Sequence, residues 1–279
     1  MPPVVYLVTT YHLRQCEATT LEHLLQMLRS VVKQVCKSTI HLILVGDNVP
    51  DKFAQDVEDV IAGMGFNVLV QVHHAHYKGN EKRPGAINYA MQIAKQHNDK
   101  NAGIAFVGLL DSDDYLSSDT SVNTLVEQLT QNNADMAYSS RVIINGDRSI
   151  VTGALSPDVY LSVKRYEGLA PFHLCLWPLR WFERVGGCDS DLQYAVDYNL
   201  MLKLLECNPK MVMVPMPLYT YRTHHDQMSG NHQSQIACAI EAAQRSIARQ
   251  KLNLGIRIQW QVIEGSSLAT NSSSDPGLN

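Results

Sequence analysis

Short apolar segments alternate with amphipathic helical patterns along the first part of the chain, and this alternation constrains the fold more than any other feature. The apolar, strand-like segments are residues 4–9, 40–45, 66–72 and 104–110. The helical patterns between them are residues 21–35, 51–64 and 86–96. Strands that alternate with helices are typical of a mostly parallel sheet with helices on both faces. The sequence therefore predicts an α/β fold of this kind.

Polar and acidic residues follow several of these predicted strands. In parallel sheets, ligands bind beyond the carboxyl ends of the strands. Thr9 and Tyr11 close the first strand, Asp47 follows the second, and residues 111–114 follow the fourth. We therefore expect the functional site at this edge of the sheet.

The second half of the chain has a different pattern. It predicts a strand at 137–145, short strands at 212–214 and 218–222, and helices at 178–184, 196–207 and 233–251. We expect one main domain over residues 1–230 and a helical extension over 231–264. Residues 265–279 are rich in Ser, Asn, Gly and Asp, which bury too little apolar area to offset ordering, and predict a disordered tail.

Composition excludes several classes of partner. The formal net charge is -4 and there is no basic run, so nucleic acid is not an expected partner. Six scattered cysteines without paired spacing indicate reduced thiols and a cytoplasmic location. No stretch approaches the roughly 18 apolar residues of a membrane-spanning helix, so any membrane contact is expected to be peripheral.

The sharpest local signal is Leu-Leu-Asp-Ser-Asp-Asp-Tyr at residues 109–115. It places Asp111, Asp113 and Asp114 directly after a buried strand. Clustered carboxylates destabilise one another unless a cation lies among them, and carboxylate oxygens suit Mn²⁺ or Mg²⁺. The alternative is an Asp-rich turn or a helix cap, with a side chain accepting backbone hydrogen bonds.

This segment resembles the acidic D-x-D signature of nucleotide-sugar glycosyltransferases with the GT-A fold. The order of further motifs, over about residues 4–229, resembles the large inverting family 2. The resemblance implies a nucleotide-binding half over about 1–115 and an acceptor half over about 116–230. It places Thr9 and Tyr11 at the nucleotide and Asp47 near the base, with Gly46 where the family commonly has a second acid.

Two further motifs carry the resemblance. Arg-Pro-Gly-Ala-Ile-Asn at 83–88 is similar to the helix start that precedes the acidic strand, which implies nucleotide-sugar contacts for Arg83 and Asn88; Ile87 occupies the usual Arg position. Gly-Gly-Cys-Asp at 186–189 and Val-Asp-Tyr-Asn at 196–199 resemble the block that supplies the base, here Asp197, with Val196 in place of the usual Glu. The alternatives are a solvated Arg83 and a helix-capping Asp197.

The last motif is Tyr-Thr-Tyr-Arg-Thr-His-His at 219–225. The resemblance implies that Arg222 holds the diphosphate and that His224 completes the metal shell with Asp113, while Asp111 binds the nucleotide sugar. It places His173 and Trp177 in the acceptor pocket. His225 is expected to be exposed.

Three more histidines, His73, His74 and His76, invite a metal-site interpretation. Because they follow an apolar strand and the acidic site is better suited to a metal, we expect them in a solvated or nucleotide-side loop.

The resemblance implies a metal-assisted, inverting transfer from a nucleotide sugar to a hydroxyl of a saccharide or glycoconjugate acceptor, with a UDP-sugar as the family's commonest type of donor. One alternative is a sugar-phosphate nucleotidyltransferase, although residues 9–16 lack its Gly-rich basic loop. The others are a non-catalytic nucleotide-sugar-binding protein and a flavodoxin-like signalling domain. The long helix at 233–251 could pack on the core or pair with a second copy to form a homodimer.

Overall fold

The computed structural model describes residues 2–13, 17–65, 69–101, 103–170, 173–224 and 232–252. The strands are β1 Val4–Tyr11, β2 Ile40–Asp47, β3 Val70–Tyr77, β4 Ala105–Leu109, β5 Tyr115–Leu116, β6 Met136–Asn145, β7 Arg148–Thr152, β8 Cys175–Pro178 and β9 Met211–Arg222. The helices are α1 Glu17–Val32, α2 Asp51–Gly63, α3 Lys82–Asn101, α4 Ser121–Gln131, α5 Pro157–Leu161, α6 Arg180–Arg184, α7 Val196–Leu205 and α8 His232–Arg249.

Within the described residues these strands form one nine-stranded sheet, in the order β3-β2-β1-β4-β8-β6-β9-β5, with β7 paired to β6. The β3-β2-β1-β4 part is parallel throughout, as the alternating pattern predicts. Strand β8 joins this part to the mixed second half, because it runs antiparallel to both β4 and β6. The carboxyl ends of β1, β2 and β4 therefore lie at one edge of the sheet.

Both faces of the sheet are buried. Alternate residues of β1 point to opposite faces, so Tyr6 and Val8 belong to one core cluster and Val5 and Leu7 to the other. The first core cluster contains the buried faces of α3, α7 and α8. The second contains those of α1, α2 and α4. This is the two-sided helical cover that a parallel sheet requires.

Strand β3 corrects the predicted boundaries. It spans Val70–Tyr77, whereas the apolar pattern ended at residue 72, so His73, His74 and His76 lie in a strand and not in a loop. The imidazoles are tolerated in the sheet because they find hydrogen-bond partners. His73 Nε2 lies 3.0 Å from His41 Nδ1, and His74 Nε2 lies 2.7 Å from Tyr11 Oη.

Five elements of the second half are absent from the sequence-based prediction: α4, α5, β5, β7 and β8. The two short strands predicted at 212–214 and 218–222 are one strand, β9. A register shift against β6 between Ser139 and Arg141 accommodates the prolines of this strand, because proline cannot donate a ladder hydrogen bond. The predicted helix at 178–184 begins only at Arg180, after β8.

Helix α8 packs against the domain. Its residues Ala239, Ala242 and Ala243 are fully buried in the first core cluster. Arg245 pairs with Asp191 at 2.5 Å and with Asp189 at 3.2 Å. Residues 253–264 of the predicted extension and the predicted tail at 265–279 lie outside the described residues. Every helix in the described ranges is too short or too polar to cross a lipid bilayer.

Candidate active site

Five segments converge near the acidic residues that follow β4. They are the first turn of α3, the acidic segment 111–114, the two residues before β8, the first turn of α7, and the two residues after β9. Each contributes a side chain that the sequence pattern had singled out. These are Arg83, Asp111, Asp113, His173, Asp197 and His224.

Asp111 forms an ion pair with Arg83. Arg83 Nη2 lies 2.6 Å from Asp111 Oδ1, and both side chains are 24% exposed. The charge of Asp111, followed by those of Asp197 and Asp113, raises the pKa of Arg83 above its already high ordinary value. Arg83 is therefore a permanent cation among three carboxylates, and not a residue on a solvated face.

Asp113 and His224 lie in direct contact. His224 Nε2 lies 2.9 Å from Asp113 Oδ2, and each side chain is 14% exposed. One carboxylate oxygen from each of Asp111, Asp113 and Asp114 lies within 4.8 Å of the others. Oxygen and imidazole donors at this spacing are compatible with Mn²⁺ or Mg²⁺.

Asp114 differs from its two neighbours because it is tied to β9. Its Oδ2 accepts a hydrogen bond from Tyr219 Oη at 2.7 Å and its Oδ1 accepts one from the backbone N–H of Arg222 at 2.7 Å. Burial, with the nearby charges of Asp113 and Asp111, raises the pKa of Asp114 well above its ordinary value. Both oxygens of Asp114 are thus engaged in holding the acidic segment against β9.

His173 lies between the acidic segment and α7. Its ring stacks on Tyr219 with centroids 5.0 Å apart, and Nδ1 lies 3.3 Å from the carbonyl oxygen of Leu109. Because that carbonyl only accepts, Nδ1 is the donor and Nε2 is directed at two carboxylates. These are Oδ2 of Asp111 at 3.5 Å and Oδ2 of Asp197 at 4.0 Å.

Asp197 divides its two oxygens between two environments. Oδ1 accepts a hydrogen bond from the backbone N–H of Tyr198 at 3.0 Å, as an acid in the first turn of a helix commonly does. Oδ2 faces His173, and the side chain is 29% exposed. Val196, in the position of the family's usual Glu, is 3% exposed in the core. Helix capping and an accessible carboxylate therefore coexist in this residue.

Asn88 connects the two halves of the domain. Its Nδ2 donates to the carbonyl of Cys188 at 3.0 Å, and its Oδ1 accepts from the N–H of Cys188 at 2.8 Å. A Cβ on Gly187, which has a φ of +65°, would lie 2.8 Å from Asn88 Oδ1. The amide of Asn88 is thus engaged with the Gly-Gly segment that leads to Asp197.

The predicted nucleotide side is built from the ends of β1 and β2. The Tyr11 ring is fully buried and its hydroxyl bonds His74, while a Cβ at Gly46 would lie 2.9 Å from that hydroxyl. The position therefore has no room for an acidic side chain. Asp47 is partly exposed and accepts from Asn48 Nδ2 at 2.9 Å, and burial raises its pKa. The hydroxyl of Thr9 is buried without a partner among the described residues.

Two predicted site residues are directed elsewhere. Arg222 Nη2 lies 2.5 Å from Gln26 Oε1, and its guanidinium lies 5.6 Å from the centre of the Tyr115 ring. Trp177 is 1% exposed in β8 and belongs to the first core cluster, so its ring is buried on one face of the sheet and is not accessible to an acceptor.

Tyr219 is the site residue that sequence reasoning missed. Its hydroxyl donates to Asp114 and accepts from the backbone N–H of Asp111 at 3.3 Å, and its ring supports His173. The sequence places Tyr219 in a strand, but only the pairing of β9 with β5 and β6 brings it to the acidic segment.

The comparisons with known proteins agree with this architecture. Residues 17–180, more than half of the chain, match the model of "Glycosyl transferase family 2". Chondroitin synthase of Pasteurella multocida (strain Pm70) and hyaluronan synthase of Pasteurella multocida are each 27% identical to the chain over 129 residues. The match covers 46% of this chain and only 12% of each of those proteins.

Solved structures share the fold at low sequence identity. Staphylococcus aureus TarS 1–349 in complex with UDP-GlcNAc is 16% identical with a TM-score of 0.66, covering 91% of this chain and 68% of that chain. The mannosyltransferase PcManGT from Pyrobaculum calidifontis, in complex with GDP-Man and Mn²⁺, is 14% identical with a TM-score of 0.59, covering 92% of this chain and 66% of that chain. With these matches, the chain belongs to glycosyl transferase family 2 and has the GT-A fold.

Proposed function

We propose that the protein transfers a sugar from a nucleotide-diphosphate donor, a UDP-sugar, to a hydroxyl of a saccharide or glycoconjugate acceptor with inversion. Membership of glycosyl transferase family 2 favours this activity over the nucleotidyltransferase and signalling-domain alternatives. The observation that carries the proposal is that Asp111 and Asp197 approach the same imidazole nitrogen of His173. A donor-side carboxylate and a candidate base thus both face Nε2 of one buried ring.

Asp197 is the proposed catalytic base. A single displacement at the anomeric carbon inverts its configuration and requires a carboxylate to take the proton of the attacking hydroxyl. Oδ2 of Asp197 is suited to this role because Oδ1 is already fixed by the helix N–H. His173 contacts both carboxylates and is proposed to position the acceptor beside Asp197.

Asp113 and His224 are the proposed metal ligands, with Mn²⁺ or Mg²⁺ as the ion. Their 2.9 Å separation and low exposure support this assignment, as does the Mn²⁺ named for the structural relative PcManGT. When bound, such an ion neutralises the charge of the leaving diphosphate. Asp114 is left out of the ligand set because both of its oxygens accept hydrogen bonds from β9.

The donor contacts follow from the remaining residues. Arg83 and Asp111 are proposed to bind the nucleotide sugar and Asp47 to contact the base, because all three side chains are partly exposed at the carboxyl edge of the sheet. Thr9, Tyr11 and Asn88 are proposed to contact the donor through their backbone, because their side chains are buried or already hydrogen-bonded. Arg222 would reach a diphosphate only after breaking its hydrogen bond with Gln26.

We propose a cytoplasmic location, where nucleotide sugars would be available.

Calorimetric titration of UDP and GDP, with and without Mn²⁺, tests the proposal without knowledge of the acceptor. We expect Mn²⁺-dependent binding of UDP to the wild type, loss of that binding in Asp113→Ala, and no change in Asp119→Ala, which replaces an exposed acid outside the site. If neither nucleotide binds the wild type under any metal condition, the acidic segment is a structural turn and the proposal fails. A protein that binds UDP but releases none from any donor is the non-catalytic alternative.

A further inference from the structure

A second group of side chains that can bind a metal involves β3, the strand that extends beyond the predicted apolar segment. His74 and His76 are two residues apart in β3, so their side chains share one face of the sheet. Glu58 projects toward them from α2, and one donor atom from each of the three lies within 4.8 Å of the others. The group shares no residue with the proposed active site.

The distances in this group fit a metal ion better than they fit hydrogen bonds. His74 Nδ1 and His76 Nε2 each lie 3.4 Å from the same atom, Glu58 Oε1. Well-formed hydrogen bonds are shorter than this. Ligands about 2.0–2.1 Å from a tetrahedral zinc ion are separated by about 3.3–3.4 Å. The two distances from the glutamate oxygen to the imidazole nitrogens therefore already match the edges of such a tetrahedron, and all three donor atoms lie within 4.8 Å of one another.

The buried histidine of the group is oriented for coordination. His74 Nε2 lies 2.7 Å from the hydroxyl of Tyr11, which is itself fully buried. Nδ1 of His74 is buried and makes no hydrogen bond within the described residues. Metal-binding histidines are typically held through their second nitrogen in this way.

The other two donors are open to solvent. The side chain of His76 is 33% exposed and that of Glu58 is 48% exposed, compared with 9% for His74. An ion can therefore enter from solvent and keep a water molecule as its fourth ligand. Two imidazoles and one carboxylate suit zinc and similar transition metals, whereas Mg²⁺ prefers oxygen ligands.

A second histidine cluster offers a contrast. His41, His73 and His97 also lie close together, but His41 Nδ1 and His73 Nε2 are paired with each other at 3.0 Å. His97 Nδ1 lies 2.9 Å from the hydroxyl of Tyr6. His41 is only 4% exposed. These rings are hydrogen-bonded to one another or to Tyr6, so this cluster serves as a control for the first.

We infer that Glu58, His74 and His76 form a binding site for a divalent transition-metal ion of the zinc class. The ion joins α2 to β3 through these three side chains. Because His74 also holds Tyr11, the ion fixes the tyrosine at the carboxyl end of β1, beside Gly46. Binding to the folded state alone raises the stability of the domain in proportion to the free zinc concentration.

The test uses the full chain with Asp113→Ala as the background, because this substitution removes the carboxylate proposed to hold the metal at the other site, beside His224. After treatment with a chelator, Zn²⁺ is titrated calorimetrically, and Co²⁺ is added to obtain the visible absorption spectrum of a tetrahedral site. We expect one Zn²⁺ per chain, a tetrahedral Co²⁺ spectrum, and no competition by Mg²⁺. Adding His76→Ala or Glu58→Gln lowers Zn²⁺ affinity at least about 10-fold, whereas adding His97→Ala leaves it unchanged.

His76 and Glu58 are the chosen positions because both are exposed, so their substitution preserves the core. Circular dichroism checks that each variant is folded. Absence of Zn²⁺ binding in the Asp113→Ala background overturns the inference. Zn²⁺ binding that survives His76→Ala and is lost in His97→Ala also overturns it, because the ion would then belong to the cluster of His41, His73 and His97.

Discussion

Arg83 Nη2 lies 2.6 Å from Asp111 Oδ1, and this ion pair joins the first turn of α3 to the acidic segment. The pair accounts for a departure from the family pattern. Ile87, in the position of the family's usual Arg, is 2% exposed in the core. Arg83 lies one helical turn earlier on the same face and supplies a cation to the carboxylates.

Replacing Arg83 tests this account. We expect Arg83→Leu to reduce the free energy of unfolding by about 1–3 kcal/mol, because it leaves Asp111 partly buried without its cation. Arg83→Lys keeps the charge but not the planar fork and should lie between the wild type and Arg83→Leu. Urea unfolding at pH 7 measures the difference, with the exposed Arg180→Leu as the control. Equal losses for Arg83→Leu and Arg180→Leu would show that the ion pair contributes nothing.

The glycines before Asp197 offer a matched pair of substitutions. Gly186 and Gly187 both have positive φ angles, of +74° and +65°. An added Cβ meets nothing within 4 Å at Gly186, but at Gly187 it would lie 2.8 Å from Asn88 Oδ1. Gly186→Ala should therefore cost about 1–2 kcal/mol of stability from backbone strain alone. Gly187→Ala should cost more, because it also separates Asn88 from Cys188.

Thermal or urea unfolding of the two alanine variants provides the comparison. Asn88→Ala in the Gly187→Ala background should add less than it costs alone, since both changes disrupt the same contact. Equal stabilities of the Gly186→Ala and Gly187→Ala variants would contradict the role given to Asn88.

The buried histidine His41 predicts a pH dependence of stability. Burial, followed by the nearby His97 and His73, lowers the pKa of His41 from 6.5 to about 4. The unfolded chain therefore binds a proton more readily than the folded chain between these values. Stability from this group is complete above pH 6.5 and is lost as pH falls toward 4, by an amount of about 3 kcal/mol.

Urea unfolding at pH 7 and pH 5 measures this effect in the wild type and in His41→Gln. The variant removes the group that titrates, so its stability should fall less between the two pH values. An identical fall in both proteins would assign the pH dependence to other groups.

Much of the first half of the fold follows from local sequence patterns. Strands β1, β2 and β4 lie close to their predicted positions, because apolar runs in a parallel sheet are marked by composition alone. The same strand pattern placed Asp111 and Asp113 at the carboxyl edge of the sheet, while the family resemblance placed Asp197 beside them. The local pattern predicted the end of β3 too early, because the hydrogen-bond partners of His73 and His74 are distant in sequence.

The second half depends on contacts that a local pattern does not contain. Strand β8 is only four residues long and is defined by pairing with both β4 and β6. Tyr219 reaches the acidic segment because β9 pairs with β5. Trp177 lies in the core because β8 pairs with β4. Residue type therefore predicts which side chains are chemically able to act, whereas strand pairing determines which of them face the site.

The central claim concerns Asp197, and the most direct measurement is the release of UDP from a panel of UDP-sugars in the presence of Mn²⁺. Water can replace the unknown acceptor in this assay. Wild type, Asp197→Asn and Asp158→Asn are compared, the last being an exposed acid in the first turn of another helix, α5. UDP affinity is measured for each variant by calorimetry, so that loss of binding is distinguished from loss of turnover.

We predict that Asp197→Asn binds UDP like the wild type but releases UDP from the donor at least about 100-fold more slowly, because a general base contributes about this much to the rate. Asp158→Asn should match the wild type in both measurements. Wild-type turnover in Asp197→Asn, or no release of UDP by the wild type from any donor, would contradict the assignment of Asp197 as the base of a sugar transfer.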